Sequence, residues 1–217
     1  LEKDILSLAP KGRINLEINL AFSEDRIIEI LKLYDKYKIL NRIFYQTNLD
    51  EQKQLLIQKL LDNIMLLKHL KPYPYSRTTN ILFTLLSHLP TELMYNNLKT
   101  YFFEKEAKLS DGFVRDYNEI NRFSDIYQLY KILKNTNLEY LPAIMTLLDE
   151  EKFKKTIFVL EVEKTPLITG KDLISLGLKP SKIFKTILED VFEKQLKGSL
   201  KNREEAIKYI KRKYFVE

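Results

Sequence analysis

The chain has 217 residues, of which 36 are Lys or Arg and 30 are Asp or Glu, for a net charge of +6. The absence of Cys excludes disulfides and thiolate metal sites and fits a reducing, cytoplasmic setting. With only 5 Gly and 7 Pro against 45% apolar residues, the composition favours helices around a sizeable core, and no apolar run reaches the roughly 20 residues of a membrane span.

The start, Leu1-Glu2-Lys3-Asp4, is charged and lacks an initiator Met. It is not a signal peptide and reads as the cut end of something longer. Apolar residues then recur at helical spacing. Ser23 is the expected N-cap of a helix with Glu24 and Asp25 in its first turn and an apolar face of Ile27, Ile28, Leu31 and Tyr34. A longer helix is expected from about Asn48 to Leu70, broken by the two prolines of Lys71-Pro72-Tyr73-Pro74-Tyr75. Helices follow at Arg77–Leu89, Thr91–Phe103, Asp111–Arg122 and Asp125–Lys134, with Pro90, Ser110 and Ser124 at their boundaries. Pro142 suits the first turn of another, ending near Glu150. Ile157-Phe158-Val159-Leu160 could form a strand, but no partner strand is visible, so Phe153–Glu163 is expected to be helix.

After a boundary at Lys164-Thr165-Pro166 the chain is well punctuated. Thr169-Gly170-Lys171-Asp172 has capping-box spacing, and Gly177 suits the left-handed residue that closes a short helix. Pro180 suits the first turn of the next helix, with an apolar stripe of Ile183, Phe184, Ile187, Leu188, Val191 and Phe192. Gly198 ends it, and Asn202–Phe215 forms the last. The expected fold is all-α, a multi-helix body with a small helical tail, divided as residues 1–70, 71–163 and 164–217.

No catalytic constellation emerges. The glycines are too scattered for a phosphate-cradling loop. His69 and His88 fall on different helices with no Cys beside them, so ordinary packing or surface roles outweigh a zinc site. Asp149-Glu150-Glu151 reads as a solvated helix end, and no aspartate pair sits in the setting of a two-metal site. Neither catalytic residues nor metal ligands are expected in this chain. Most of the 13 tyrosines, Tyr73 and Tyr75 included, read as half-buried packing residues.

The charge is uneven. Residues 179–217 hold 11 Lys or Arg against 6 Asp or Glu, a net of +5, leaving +1 for the rest. Such a concentration points to a polyanionic partner. Lys179, Ser181, Lys182 and Lys185 gather at the start of one helix, where the positive dipole end favours an anion. Lys197, Lys201, Arg203, Lys208, Lys211, Arg212 and Lys213 continue the positive field. The competing reading is that Lys211-Arg212-Lys213 merely complements a helix C-terminus, on a helical protein-interaction scaffold with an incidental basic end.

Four stretches carry a family resemblance. The run Gly170-Lys171-Asp172-Leu173-Ile174-Ser175-Leu176-Gly177-Leu178-Lys179-Pro180, and later Gln195-Leu196-Lys197-Gly198 through Ala206, resemble the tail of bacterial tRNA nucleotidyltransferases and poly(A) polymerases. Arg13-Ile14-Asn15-Leu16-Glu17-Ile18 is similar to that family's neck motif, Arg-Ile-x-x-Glu-Leu. Ile39-Leu40-Asn41-Arg42-Ile43-Phe44 is similar to its Leu-Leu-x-x-Ile-Phe segment. The chain departs from the pattern at Lys38, where Gly is usual, and at Ser181, Lys182 and Phe184, where the family continues Gly-Pro and a further Gly.

The resemblance implies the neck, body and tail of a nucleotide-adding enzyme, holding tRNA by its phosphates. It implies that the catalytic head, with Mg²⁺ and ATP or CTP, is supplied upstream or by a separate chain. It also implies that Arg13 and Glu17 brace the helix joining head to body. The residues alone equally allow an ordinary pair one turn apart.

Overall fold

The computed structural model describes residues 9–215; the charged start at Leu1-Glu2-Lys3-Asp4 lies outside them. The described chain is all-α, without a strand. Its helices are α1 (Lys11–Ser23), α2 (Ile27–Lys36), α3 (Ile39–Ile43), α4 (Glu51–Leu70), α5 (Arg77–Leu86), α6 (Thr91–Thr100), α7 (Glu104–Asn121), α8 (Ile126–Asn135), α9 (Leu141–Leu147), α10 (Glu150–Lys164), α11 (Gly170–Ser175), α12 (Lys182–Leu196) and α13 (Arg203–Tyr214). A 3₁₀ turn at Leu138–Tyr140 leads into α9.

The helices group into two compact units. One comprises the residues up to 121 with 135–153, the other 122–134 with 154 onward. These are not the expected lines at 70/71 and 163/164. Pro72 and Pro74 end α4 without ending a unit, because α4 and α5 on either side pack against each other.

The first unit is organised around α5. Every residue from Thr79 to Leu86 is buried, and a helix covered on all sides must be a core helix. α1, α4, α7 and α9 pack against it. Its buried polar groups are satisfied in part. Asn80 Nδ2 donates to the carbonyls of Ser76 at 2.8 Å and Glu139 at 2.9 Å, while its Oδ1 accepts the Ala143 N–H at 2.9 Å. Thr79 Oγ1 donates to Glu106 Oε1 at 2.8 Å. Nearby, Tyr140 is buried against Phe83 and Phe113 and donates to the buried Asp116 carboxylate at 2.7 Å. Burial, and then that bond, push its phenol pKa up.

Four expected boundaries move, each for a local reason. Ser23 ends α1 instead of capping α2, and its Oγ donates back to Leu20 O at 2.7 Å. Ser110 lies inside α7, its hydroxyl satisfied by Ala107 O at 2.8 Å. Asp149-Glu150-Glu151 opens α10: Asp149 Oδ1 accepts the Lys152 N–H at 2.9 Å, and acids suit that end of the dipole. Pro180 falls just before α12, whose N-cap is Ser181.

Two backbone details make predictions. Lys38, at the family's usual glycine, has φ of 57° in the left-handed region, a conformation that costs a side-chain-bearing residue roughly 1–2 kcal/mol. Lys38→Gly should therefore stabilise the chain by about 1 kcal/mol after the glycine entropy cost is subtracted, read as a raised thermal midpoint. Conversely, a Cβ on Gly112 would stand 2.8 Å from Tyr140 Oη, a hydroxyl already fixed to Asp116. Gly112→Ala should destabilise by about 1–2 kcal/mol despite better helix propensity, and chemical denaturation would show it.

Candidate nucleic-acid interface

The second unit carries most of the candidate residues. Its core is Ile168, Leu173, Ile187, Val191, Leu200, Ala206 and Ile210, the positions at which α11, α12 and α13 meet. Two glycines set its corners. Gly177 has φ of +93°, and Leu178 N–H reaches back to Leu173 O at 3.1 Å. Gly198 has φ of +71°, and Ser199 N–H reaches Lys194 O at 2.8 Å. Both form the six-to-one closure that ends a helix at a left-handed residue. After the second corner, Asn202 reopens the chain as N-cap of α13, accepting the Glu205 N–H at 2.9 Å.

These corners put the candidates at element ends. Lys179 sits in the first turn, Ser181 at the N-cap of α12, and Lys182 and Lys185 three residues apart on its opening turns. The Ser181 backbone is extended, with φ of −161°, so the departure from the family's glycine needs no special conformation. Lys201 lies in the second turn, and Lys208, Lys211 and Arg212 follow on α13.

Two carboxylates sort the cations. Asp172 Oδ1 accepts from Arg203 Nη2 at 2.7 Å and Nε at 3.2 Å. Its Oδ2 accepts from Thr169 Oγ1 and N–H, both at 2.7 Å. The Arg203 bonds first, then those from Thr169, hold the Asp172 carboxyl down at about 2. On the other side, Asp190 Oδ2 accepts from Tyr209 Oη at 2.6 Å, Tyr214 Oη at 2.9 Å and Lys213 Nζ at 3.0 Å. Burial alone would raise the Asp190 pKa, but these bonds outweigh it and hold it low. Lys197 pairs with Glu193 at 2.5 Å.

By contrast, Lys179, Lys182, Lys185, Lys201, Lys208, Lys211 and Arg212 are exposed and make no ion pair with a described residue. The structure places three of them in two cavities. Lys208 and Arg212 line a groove with Lys194 of α12 and Glu205 of α13. Ser181 and Lys185 line a different pocket with Lys134 of α8. Lys194 and Lys134 were not singled out by sequence, because the residues they join lie on other helices.

Arg13 and Glu17 form an ion pair of 2.6 Å on α1, with side chains 68% and 50% exposed. The pair lies within one helix and bridges no second element. Such a contact contributes a few tenths of a kcal/mol. Glu17 also adds to the raised pKa of Tyr34, after the larger effect of burial. Among the described residues no three His, Asp or Glu side chains stand together as a metal site, and no helix is long and apolar enough to cross a membrane.

The family model for tRNA nucleotidyltransferase domain 2 (putative) matches residues 94–210, more than half of the chain. The chain belongs to this family. The tRNA nucleotidyltransferase match covers the whole of α7 to α12 and the candidate residues from Lys179 to Lys208, while Arg13, Glu17, Lys211, Arg212 and Lys213 lie outside it. An A-adding tRNA nucleotidyltransferase of Aquifex aeolicus is 29% identical over 201 residues, covering 85% of this chain and 23% of that protein. Another, from Halalkalibacterium halodurans, is 37% identical over 92 residues, covering 42% of this chain and 21% of that one. The chain thus spans under a quarter of each relative's length.

Solved structures share the fold. The Thermotoga maritima CCA-adding enzyme complexed with tRNA superposes with a TM-score of 0.63 at 16% identity, over 94% of this chain and 52% of that one. A tRNA-processing enzyme with CTP gives 0.64 at 24% identity, over 87% and 52%.

The Asp172 clasp sets an acid limit on this domain. A carboxylate with a lowered folded pKa stabilises fully above its unfolded value and loses that contribution as pH falls through the folded one. Wild type should outlast Asp172→Asn in thermal melts at pH 7, and the gap should close as pH falls from 3.8 towards about 2. A gap independent of pH would show that the amide breaks packing and not the charge-assisted bonds.

Proposed function

We propose that this chain is the tRNA-holding part of a nucleotidyltransferase that extends the tRNA 3′ end. The observation carrying this reading is the set of seven exposed cations that make no ion pair with a described residue, on the second unit of a chain that matches tRNA nucleotidyltransferase domain 2. Unpaired lysines keep their full charge for a polyanion, and neutralising phosphates releases condensed counterions. Contacts of this kind set position and register without reading sequence. The shape of folded RNA then selects the substrate. The second unit would hold the acceptor and T-arm side of the tRNA, in the cytoplasm.

The chemistry itself would lie in a catalytic head beyond these residues, upstream or on a separate chain, which would hold Mg²⁺ and ATP or CTP. No step of nucleotide addition is assigned to the described residues, among which no three His, Asp or Glu side chains stand together as a metal site. Addition of A to tRNA, which the names of both curated relatives describe, is the activity to test first once a head is supplied.

Lys182→Ala with Lys185→Ala should weaken tRNA binding at low salt and flatten the dependence of log K on log salt by one to two units, about one for each phosphate left without its cation. Filter binding over a salt series measures both. Unchanged affinity and slope would remove the start of α12 from the interface. Arg203→Ala is the contrasting control: its first effect should be on stability, because its guanidinium is committed to Asp172.

A further inference from the structure

The pocket of the second unit that contains Lys185 is not simply a charged surface. It encloses about 650 Å³ between α8 and α12. Its wall is aromatic: Tyr130 and Phe192 stand with ring centroids 4.6 Å apart, and Phe184 lines the same space. Two cations border it. Lys134 Nζ lies 5.7 Å from the centre of the Tyr130 ring, and Lys185 has no ion-pair partner among the described residues. The same pocket is lined by two carboxylates, Glu189 of α12 and Glu163 of α10.

This combination suits one kind of occupant. Plain phosphate binding needs cations and no apolar volume, and an apolar peptide side chain would leave Lys134, Lys185 and Glu189 unused. An unstacked nucleobase uses all of them. Its face lies against the aromatic wall, its own phosphate reaches the lysines, and an exocyclic amino group donates to the Glu189 carboxylate. Aromatic side chains next to basic ones are the general means by which proteins hold single-stranded nucleic acid.

We infer that this pocket takes an amino-bearing base turned out of the bound RNA, with Tyr130 as its stacking platform. The inference rests on the proposal that this unit holds RNA and adds a base-dependent subsite to it. Stacking and charge respond differently to salt, which separates the two. Taking a cation away from a phosphate changes the salt slope; removing a stacking surface lowers affinity at every salt concentration.

The test uses the full chain with a fluorescent oligoadenylate of about 12 nucleotides and an abasic ribose-phosphate oligomer of the same length and charge. Wild type should bind the oligoadenylate about tenfold more tightly, one base stack being enough for that ratio. Tyr130→Ala should abolish the preference and leave the salt slope unchanged, while Tyr130→Phe keeps it; thermal melts confirm that both variants fold. Equal wild-type binding to the two polymers would overturn the pocket and leave phosphate holding intact. So would a preference surviving in Tyr130→Ala. Binding to neither polymer, nor to tRNA, would remove the RNA-holding reading and this subsite with it.

Discussion

Asp172 and Asp190 decide what the basic unit can do. Each gathers donors from helices that are distant in sequence. Asp172 at the start of α11 takes Arg203 of α13, and Asp190 of α12 takes Tyr209, Lys213 and Tyr214 of the same α13. The last helix is thus fastened at both ends over a core of only a few buried side chains. A core that small contributes modestly, so hydrogen-bonded carboxylates matter to it more than they would to the larger unit around α5. Lys182, Lys185, Lys208 and Lys211, which face outward from α12 and α13, make no ion pair with a described residue. The domain's stability and its outward charge therefore come from one partition of its ions.

Much of the fold was legible because its signals are local. Helix-spaced apolar residues, the Thr169–Asp172 box, Gly177 and Gly198 all act within one or two turns, and each appears where the sequence places it. Errors arose where a residue allows two local solutions. A serine can cap a helix or donate back into it; Ser23 and Ser110 do the second. An acidic run can end one helix or begin the next, and the Asp149 cap decides for the beginning. A proline break records where backbone hydrogen bonding stops. It carries no information on whether the helices beside it share a core, as α4 and α5 do across Pro72 and Pro74.

The candidate site was legible as a set of residues and not as an arrangement. Charge counting singled out residues 179–217, yet it cannot tell Arg203, which is bound to Asp172, from Lys201, which is not. Nor could it find Lys194 beside Lys208, or Lys134 beside Lys185, since these pairs depend on how α8, α12 and α13 pack. The departure at Lys38 shows the converse. The resemblance expects glycine there, and the left-handed backbone at Lys38 is the conformation that glycine adopts most easily.

The allocation of cation types follows from their geometry. A guanidinium presents a planar fork of donors and loses less entropy for each bond it makes, so it suits a fixed internal contact. Arg203 makes such a contact, with two nitrogens on one Asp172 oxygen. An ammonium on a flexible stem is a point charge that can follow a phosphate over several positions, at the cost of precise direction. Six of the seven exposed cations that make no ion pair with a described residue are lysines, Arg212 being the exception. A surface of this kind tolerates variation in the backbone it meets and cannot by itself distinguish one base from another. Any selectivity for bases must come from a site with volume and a flat apolar wall, and within this unit Tyr130, Phe184 and Phe192 supply one beside Lys185.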